Sequence, residues 1–279
     1  MARLSGILLI GLCLALVGVV QAADKGIPPL PDWQVLEFEE KAFWATARSR
    51  LEILPAADNK QLWELNVLSS VVNNSEQIVV HFDPATGQAL TRSRLSRGKD
   101  QRLKSYQYAS DSISRERRNP GPDASVPPQE WPLAYSGKVS YPARINATII
   151  TESYMLVFLA QRLQAMGLDK TMEVLVHTDL NFYRVRLTSG NGIPIDADYD
   201  VTGQGRSSGP RETLAVALQV TPLGTLAEDS DFSLLGLQGE IILFFDRSSG
   251  LPLQIRGSAP RIGATAINLR SVTMREARQ

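Results

Sequence analysis

Alternation of apolar and polar side chains with a period of two is the feature that most constrains the fold of this chain. Trp63, Leu65 and Val67 alternate with Glu64 and Asn66, which is the pattern of a half-buried β-strand. Further short strands are predicted at 49–53, 78–82, 106–108, from 113 onward, and at 172–178, 180–187, 193–201, 214–220, 240–245, 253–256 and 264–274. Only one helix is predicted among these strands, whereas a βαβ pattern alternates helices with strands. We therefore predict a mainly β protein, with an antiparallel curved sheet or open barrel around that helix.

The one main helix is predicted at about residues 151–166. Thr151 can cap its first turn, Glu152 suits the positive end of its dipole, and Gly167 ends it in the usual left-handed position. Apolar side chains follow at helical spacing, and the face that they form should pack on a sheet: Met155, Phe158 and Leu159.

The N-terminus has the order of features of a secretory signal peptide, predicted at residues 1–22. Arg3 gives a positive start, residues 7–20 are apolar, and Val20-Gln21-Ala22 offers the small side chains that a signal peptidase reads. The apolar run is shorter than the roughly twenty residues that span a bilayer. We therefore predict a periplasmic or secreted mature chain without a transmembrane segment, which begins with an extended leader at 23–34.

Composition narrows the function classes. The only cysteine, Cys13, lies in the predicted signal peptide, so the mature chain would hold no disulfide, thiolate metal site or cysteine nucleophile. Leu12 stands where a lipoprotein signal needs a small residue, which argues against a lipid anchor. Lys plus Arg and Asp plus Glu number 29 each, and this neutral balance argues against a nucleic-acid partner.

A proline-rich segment interrupts the strand patterns. Residues 119–134 contain five prolines and Gly121, which prevent regular structure from continuing. We interpret the segment as a loop within one β-rich domain at 35–274, where it joins two halves, 35–118 and 135–274. A lid over a binding site is the alternative.

One pattern occurs twice, F-D-x-x-[ST]-G-x-x-L, each time with an aliphatic strand before it and a basic strand after it. The aspartate can accept backbone N–H bonds across a hairpin turn, and the glycine can take the positive φ that closes the turn. The structural turn residues are Asp83 and Gly87 in the first copy and Asp246 and Gly250 in the second. An active-site loop is the alternative. The two copies favour related β units, although a hairpin-rich chain can also produce them by chance.

The sequence from the helix to the C-terminus carries a wider pattern. A helix with Arg162 and Gly167 is followed by several strands, the segment 241–253 and a closing strand at 267–269. Together these resemble a family of exported proteins of Gram-negative bacteria that is known only as a domain of unknown function. The chain departs from that family in its Phe244-Phe245 pair. The resemblance implies a β-rich exported protein and no particular catalytic residue. The predicted fold is also similar to that of carriers that shuttle lipoproteins across the periplasm.

Residues 92–118 are the main electrostatic anomaly of this neutral chain, with nine basic and three acidic side chains. Arg92, Arg94, Tyr106 and Tyr108 are the candidate ligand-binding residues, because interleaved arginines and tyrosines can hold an anionic polymer or a phosphate-bearing head group. The alternative is a solvated strand face whose arginines protect the sheet edge.

Candidates for catalysis or metal binding are few. His81 and His177 are the only histidines, and without a G-x-S-x-G elbow we interpret both as surface or sheet-edge residues. Asp196, Asp198 and Asp200 would project from one strand face at intervals of about 7 Å, but they lack EF-hand spacing, so we interpret them as a solvated edge. No catalytic residue, metal or cofactor is assigned.

These observations favour an exported, non-catalytic binding or carrier module. Its concave side would hold an envelope lipid, a glycan or a protein. A cell-envelope hydrolase acting on polysaccharide or ester bonds is the alternative, with paired carboxylates from residues 196–200. A structural interaction module, with a flat apolar patch in place of a pocket, is a third possibility.

Overall fold

The computed structural model describes residues 30–42, 45–123, 125–142, 149–224 and 230–276. The predicted signal peptide and the leader up to residue 29 lie outside the described residues. One helix, α1 (Met155–Ala165), a short 3₁₀ turn at Pro128–Glu130 and seventeen strands occupy these ranges. The strands are β1 (Trp33–Ala42), β2 (Ala45–Pro55), β3 (Trp63–Val71), β4 (Asn74–Phe82), β5 (Ala89–Arg97), β6 (Arg102–Tyr108), β7 (Ser112–Arg118), β8 (Leu133–Ser140), β9 (Ile149–Thr151), β10 (Thr171–His177), β11 (Phe182–Asn191), β12 (Ile195–Val201), β13 (Gly205–Arg211), β14 (Thr213–Leu223), β15 (Gln238–Asp246), β16 (Pro252–Ala259) and β17 (Gly263–Met274).

The strands form one long ladder. It runs β8-β7-β6-β5-β4-β3-β2-β1-β17-β16-β15-β14-β11-β10-β9, and each neighbouring pair is antiparallel except β9 with β10. The β12–β13 hairpin attaches through a short parallel contact of β12 with β17. Within the described ranges no ladder joins β8 to β9, so the sheet stays open. The prediction of a mainly β, antiparallel open sheet with one helix is confirmed.

The period-two pattern gives the sheet a buried inner face. In β3, Trp63, Leu65 and Val67 are buried, whereas Glu64 and Asn66 on the other face are half-buried. The helix α1 lies against that inner core, and eight of its eleven residues are buried. A helix that is buried on nearly all sides belongs inside a domain, so the curved sheet wraps around it. Among the described residues, no helix is long and apolar enough to cross a membrane.

The helix begins later than predicted. Ile149–Thr151 pairs with β10 instead, because β-branched side chains suit a strand. Thr151 therefore does not cap the helix, and its hydroxyl has no hydrogen-bond partner. The carboxylate of Glu152 takes that role and accepts a 3.0 Å bond from the Met155 N–H. At the other end, Gly167 has a φ of 106°, in the left-handed region that was predicted.

The two copies of the repeated pattern form the same turn. Asp83, between β4 and β5, accepts bonds from a backbone N–H at 2.8 Å and a hydroxyl at 2.9 Å. Asp246, between β15 and β16, accepts bonds from the N–H and the hydroxyl of one serine at 2.7 and 2.6 Å. Gly87 and Gly250 each donate an N–H to the aspartate carbonyl at 2.8 Å, with φ of 82° and 69°. Side-chain bonding within the turn and positive φ account for both residue types.

Both turns are fastened to α1. Arg162 donates to two carbonyls of the β4–β5 turn at 3.1 and 2.7 Å. Gln161 donates to the Gly250 carbonyl at 3.0 Å and accepts a 2.6 Å bond from the indole N–H of Trp33. Trp33 lies in the segment that was predicted to be an extended leader, but it is fully buried at the start of β1. The helix thus ties two hairpins and the first strand together.

The proline-rich segment connects β7 with β8, and these two strands pair with each other. Trp131 is buried and donates its indole N–H to the Val126 carbonyl at 2.9 Å. Arg118 donates to the Trp131 carbonyl at 3.0 Å. The segment is therefore a long loop between adjacent strands of the ladder. That it joins two related halves stays a prediction.

Candidate functional site

Eight of the nine basic side chains of residues 92–118 line one open cleft of about 870 Å³, which we call the basic cleft. The strand register brings them together. Arg92 lies opposite Tyr106 and Arg94 opposite Lys104 on β5 and β6, and Lys104 lies opposite Arg117 on β7. Directly opposed residues share a face of the sheet. The basic side chains of three successive strands therefore lie close together on one face.

A carboxylate that is only 12% exposed organises the nearest cations. Asp179, in the turn between β10 and β11, accepts bonds from Arg94 at 2.8 Å and from the Tyr106 hydroxyl at 2.8 Å, and it also contacts Arg92 and Lys104. Burial alone would raise the pKa of Asp179, but Arg94, Arg92 and Lys104 hold that pKa well below its usual range. No sequence pattern pointed to Asp179, which lies more than seventy residues from these partners along the chain.

Two of the predicted ligand-binding residues have structural partners. Arg92, which is 6% exposed, donates to the carbonyls of His177 and Thr178 at 3.0 Å each. Its guanidinium also lies 3.9 Å from the centre of the Tyr106 ring. The Tyr106 hydroxyl is bonded to Asp179, and burial raises the pKa of Tyr106 to about 12. Arg92 and Tyr106 therefore hold the β10–β11 turn against β5 and β6.

The other two predicted residues differ in their environment. Arg94 is half-buried and pairs with Glu76 at 2.7 Å in addition to Asp179. Tyr108 is half-buried, and its hydroxyl is buried without a hydrogen-bond partner. Its ring meets that of His177 edge-on at 6.1 Å. Arg94 thus lines the cleft, whereas Tyr108 does not.

Three half-buried arginines of the basic cleft have no ion pair or hydrogen-bond acceptor among the described residues: Arg102, Arg115 and Arg117. The Nε atom of each is buried without an acceptor. Arg117 lies directly opposite Lys104, and like charges in that position destabilise a sheet. Arg115 has only an aromatic contact, 5.4 Å from the centre of the Tyr135 ring. These three guanidiniums, like the exposed side chains of Arg97 and Lys99, are available to an anion.

Two more titratable groups lie close to these residues: Glu152 lines the cleft, and His177 precedes the lining residue Thr178. Glu152 is 1% exposed, and burial raises its pKa to about 7. His177 is 3% exposed, and burial together with nearby arginine charge lowers its pKa well below the usual value. The interpretation of His177 as a surface residue is wrong, because its ring packs against Tyr106, Tyr108 and Phe182. The sequence could not show this, since the aromatic side chains come from other strands.

The remaining sequence candidates lie apart from the basic cleft. His81 is partly exposed on β4 and bonds to Thr91 at 2.9 Å and Glu64 at 3.3 Å, which are its cross-strand neighbours. Asp196 and Asp200 are exposed on β12. Asp198, between them, is held by Arg206 through two bonds of 2.6 Å. None of these carboxylates lines the cleft.

Comparisons with known proteins address the fold only. No family model matches the chain, and no curated protein matches it. The structure is similar to the crystal structure of a beta-barrel-like protein of the domain of unknown function DUF1849 from Brucella abortus, with a TM-score of 0.50 over 90% of this chain and all of that one. The two sequences are 10% identical. The likeness supports a β-rich fold shared with a domain of unknown function.

Proposed function

We propose that this protein is an exported, non-catalytic binding or carrier module whose basic cleft holds an anionic cell-envelope molecule. One observation carries the proposal: Arg102, Arg115 and Arg117 line the cleft without an acidic partner among the described residues. The sequence features of residues 1–22 support export, which makes a molecule of the cell envelope the natural ligand.

The charge pattern of the cleft separates structural cations from available ones. Arg92, Arg94 and Lys104 each contact Asp179, and Arg94 also pairs with Glu76, so these cations are engaged within the fold. The unpaired guanidiniums have no such role. Arginine holds phosphate and carboxylate through paired N–H donors in a planar fork, and it gives up its water more readily than lysine. An anionic group of a ligand would therefore replace the missing acidic side chain.

The lining also includes apolar side chains. Ile78 and Leu235, which are 4% and 7% exposed, border the same cleft, and Leu180 lies beside Asp179. A pocket that combines apolar walls with a few polar groups suits a ligand with both characters. An amphipathic molecule with an anionic head, such as an envelope lipid, fits this lining better than a purely polar glycan.

Two of the five carboxylates that line the cleft, Asp179 and Glu152, support binding in preference to catalysis. Asp179 is occupied by three cations and a hydroxyl, and Glu152 caps α1. Neither is left free to act on a bond. The hydrolase alternative relied on Asp196, Asp198 and Asp200, whose exposure and ion pairing give it no support.

The test compares three amphiphiles with the same twelve-carbon chain: dodecyl phosphate, dodecyl trimethylammonium and dodecyl maltoside. Each is titrated calorimetrically below its micelle concentration into the mature protein. We expect dodecyl phosphate to bind at least tenfold more tightly than the other two. Its affinity should fall as the salt concentration is raised, because salt screens exposed charges. Equal affinity for the three head groups would contradict the proposal.

A matched pair of variants locates the binding. Arg115→Gln combined with Arg117→Gln should remove the preference for phosphate. Arg184→Gln changes an arginine that pairs with Glu173 and does not line the cleft. It should leave every affinity unchanged, and an equal loss in both variants would show that binding lies elsewhere.

A further inference from the structure

The three unpaired guanidiniums of the basic cleft are spaced in a definite way. Arg115 and Arg117 are two residues apart on β7, so their Cα atoms are about 7 Å apart on the same face. Arg117 lies opposite Lys104, and Arg102 is two residues from Lys104 on β6. Diagonal neighbours of this kind are about 7–8 Å apart. The order across the cleft is therefore Arg102, Arg117, Arg115, with nearly equal steps.

Such a row offers two anion positions. An anion between Arg102 and Arg117 and another between Arg117 and Arg115 would each contact two guanidiniums, and Arg117 would serve both. The midpoints of the two steps are about 7 Å apart on strand geometry. The buried Nε atoms limit convergence of the three side chains on one point, because the stems are packed and only the ends reach the cleft.

We infer that the ligand of the basic cleft carries two anionic groups, phosphate or carboxylate, about 7 Å apart. This inference rests on the proposed function and deepens it. A doubly phosphorylated lipid head group and a small soluble bis-phosphate share this chemistry. Nothing in the spacing of the arginines distinguishes them, whereas apolar side chains that line the same cleft, Ile78 and Leu235, would add affinity only for the lipid.

The experiment uses a series of linear alkanediol bisphosphates as rulers, with bridges of two to eight carbons, and propyl phosphate as the single-anion reference. Calorimetric affinities should pass through a maximum at three or four carbons and exceed that of propyl phosphate at least tenfold. A steady rise with bridge length, or a gain of only twofold from having two identical groups, would overturn the inference.

Variants then assign the two positions. Arg102→Gln should abolish the bisphosphate advantage while it changes the affinity for propyl phosphate less than threefold, because the Arg115–Arg117 position remains. Arg117→Gln should weaken both probes at least tenfold. Thermal unfolding checks that each variant folds, and Arg184→Gln is the control for charge outside the cleft. Equal effects of Arg102→Gln on both probes would overturn the two-position arrangement.

Binding of dodecyl phosphate distinguishes a failure of the bis-anion inference from a failure of the proposed function. If it binds in the cleft and the bisphosphates show no length optimum, the bis-anion inference fails and the proposed function stands. If neither dodecyl phosphate nor any bisphosphate binds, both fail. A bisphosphate with one added alkyl chain that binds at least tenfold more tightly than the plain one identifies the lipid source, and equal affinity identifies the soluble source.

Discussion

Replacement of Asp179 by asparagine tests how the cations at the edge of the basic cleft are kept in the fold. The carboxylate is 12% exposed and contacts Arg92, Arg94 and Lys104. After the change, Arg94 keeps its pair with Glu76, and Arg92 keeps two carbonyl acceptors. Lys104, 7% exposed, keeps no acidic partner among the described residues. The loss of stability in Asp179→Asn should therefore come mainly from the uncompensated charge of Lys104.

Removal of one partner from a buried ion pair destabilises a protein by about 3–5 kcal/mol. We expect the lower end, about 3 kcal/mol, because burial already lowers the pKa of Lys104 and its ammonium can lose a proton when Asp179 is gone. A second change, Lys104→Met, removes the stranded charge and keeps the apolar stem. The double variant should therefore recover most of the loss.

The pH dependence gives an independent check. The pKa of Asp179 is depressed in the folded state, so its contribution is complete above the unfolded value of about 3.9 and is lost as the pH falls through the folded value. The stability gap between the wild type and Asp179→Asn should be flat above about pH 5 and should shrink below about pH 4.

Urea unfolding followed by circular dichroism between pH 3 and pH 8 measures these differences. Asp111→Asn is the control, since Asp111 is exposed beside Lys138 and its change should leave the midpoint where it is. A loss below about 1 kcal/mol for Asp179→Asn, or no recovery in the double variant, would refute the argument that Asp179 neutralises buried cations.

Other consequences concern the turns, the helix cap and the N-terminus. Gly87→Ala and Gly250→Ala both put a side chain at positive φ. A Cβ at Gly87 would lie 2.6 Å from Leu159, whereas a Cβ at Gly250 would lie no closer than 3.7 Å to any neighbour. Calorimetry should therefore show Gly87→Ala to be about 1–3 kcal/mol less stable than Gly250→Ala. The raised pKa of Glu152, about 7, means that the folded chain holds this proton more tightly than the unfolded chain, so stability falls as the pH rises from about 4 to 7. Glu152→Gln should remove that fall and be more stable than the wild type at pH 8 by about 1–3 kcal/mol in urea titrations; an unchanged pH profile would contradict the assignment. Mass spectrometry of the exported protein should find Ala23 as its first residue, and a chain that retains residues 1–22 would contradict the predicted cleavage.

The strands were predictable where burial imposes a period of two. Trp63, Leu65 and Val67 point to the core, and the chain can satisfy that pattern only as a strand. The strand β13 escaped prediction because its residues, GRSSGPR, include no large apolar side chain and its place comes from pairing with β12. The start of α1 was predicted too early because parallel pairing of Ile149–Thr151 with β10 overrides the capping preference of Thr151.

The candidate site was predictable only in its local part. The basic excess of residues 92–118 is visible in the sequence because β5, β6 and β7 follow one another along the chain. Which cations are neutralised depends on Asp179, and its position is set by the distant β10–β11 turn. Charge counting therefore selected Arg92, which is a structural residue, and could not single out Arg102, Arg115 and Arg117.

The unjoined edges of β8 and β9 give the molecule a property that a sealed cylinder lacks. In a closed barrel, strand number and stagger fix the diameter. Here, within the described chain, β8 has a ladder partner on one side only, whereas β5 and β6 are also bonded to the β10–β11 turn. The curvature of β7 and β8 can therefore change without the loss of a ladder hydrogen bond. On the proposed binding function, we expect the sheet to adjust to ligands of different width, with selectivity set by the positions of the charged side chains.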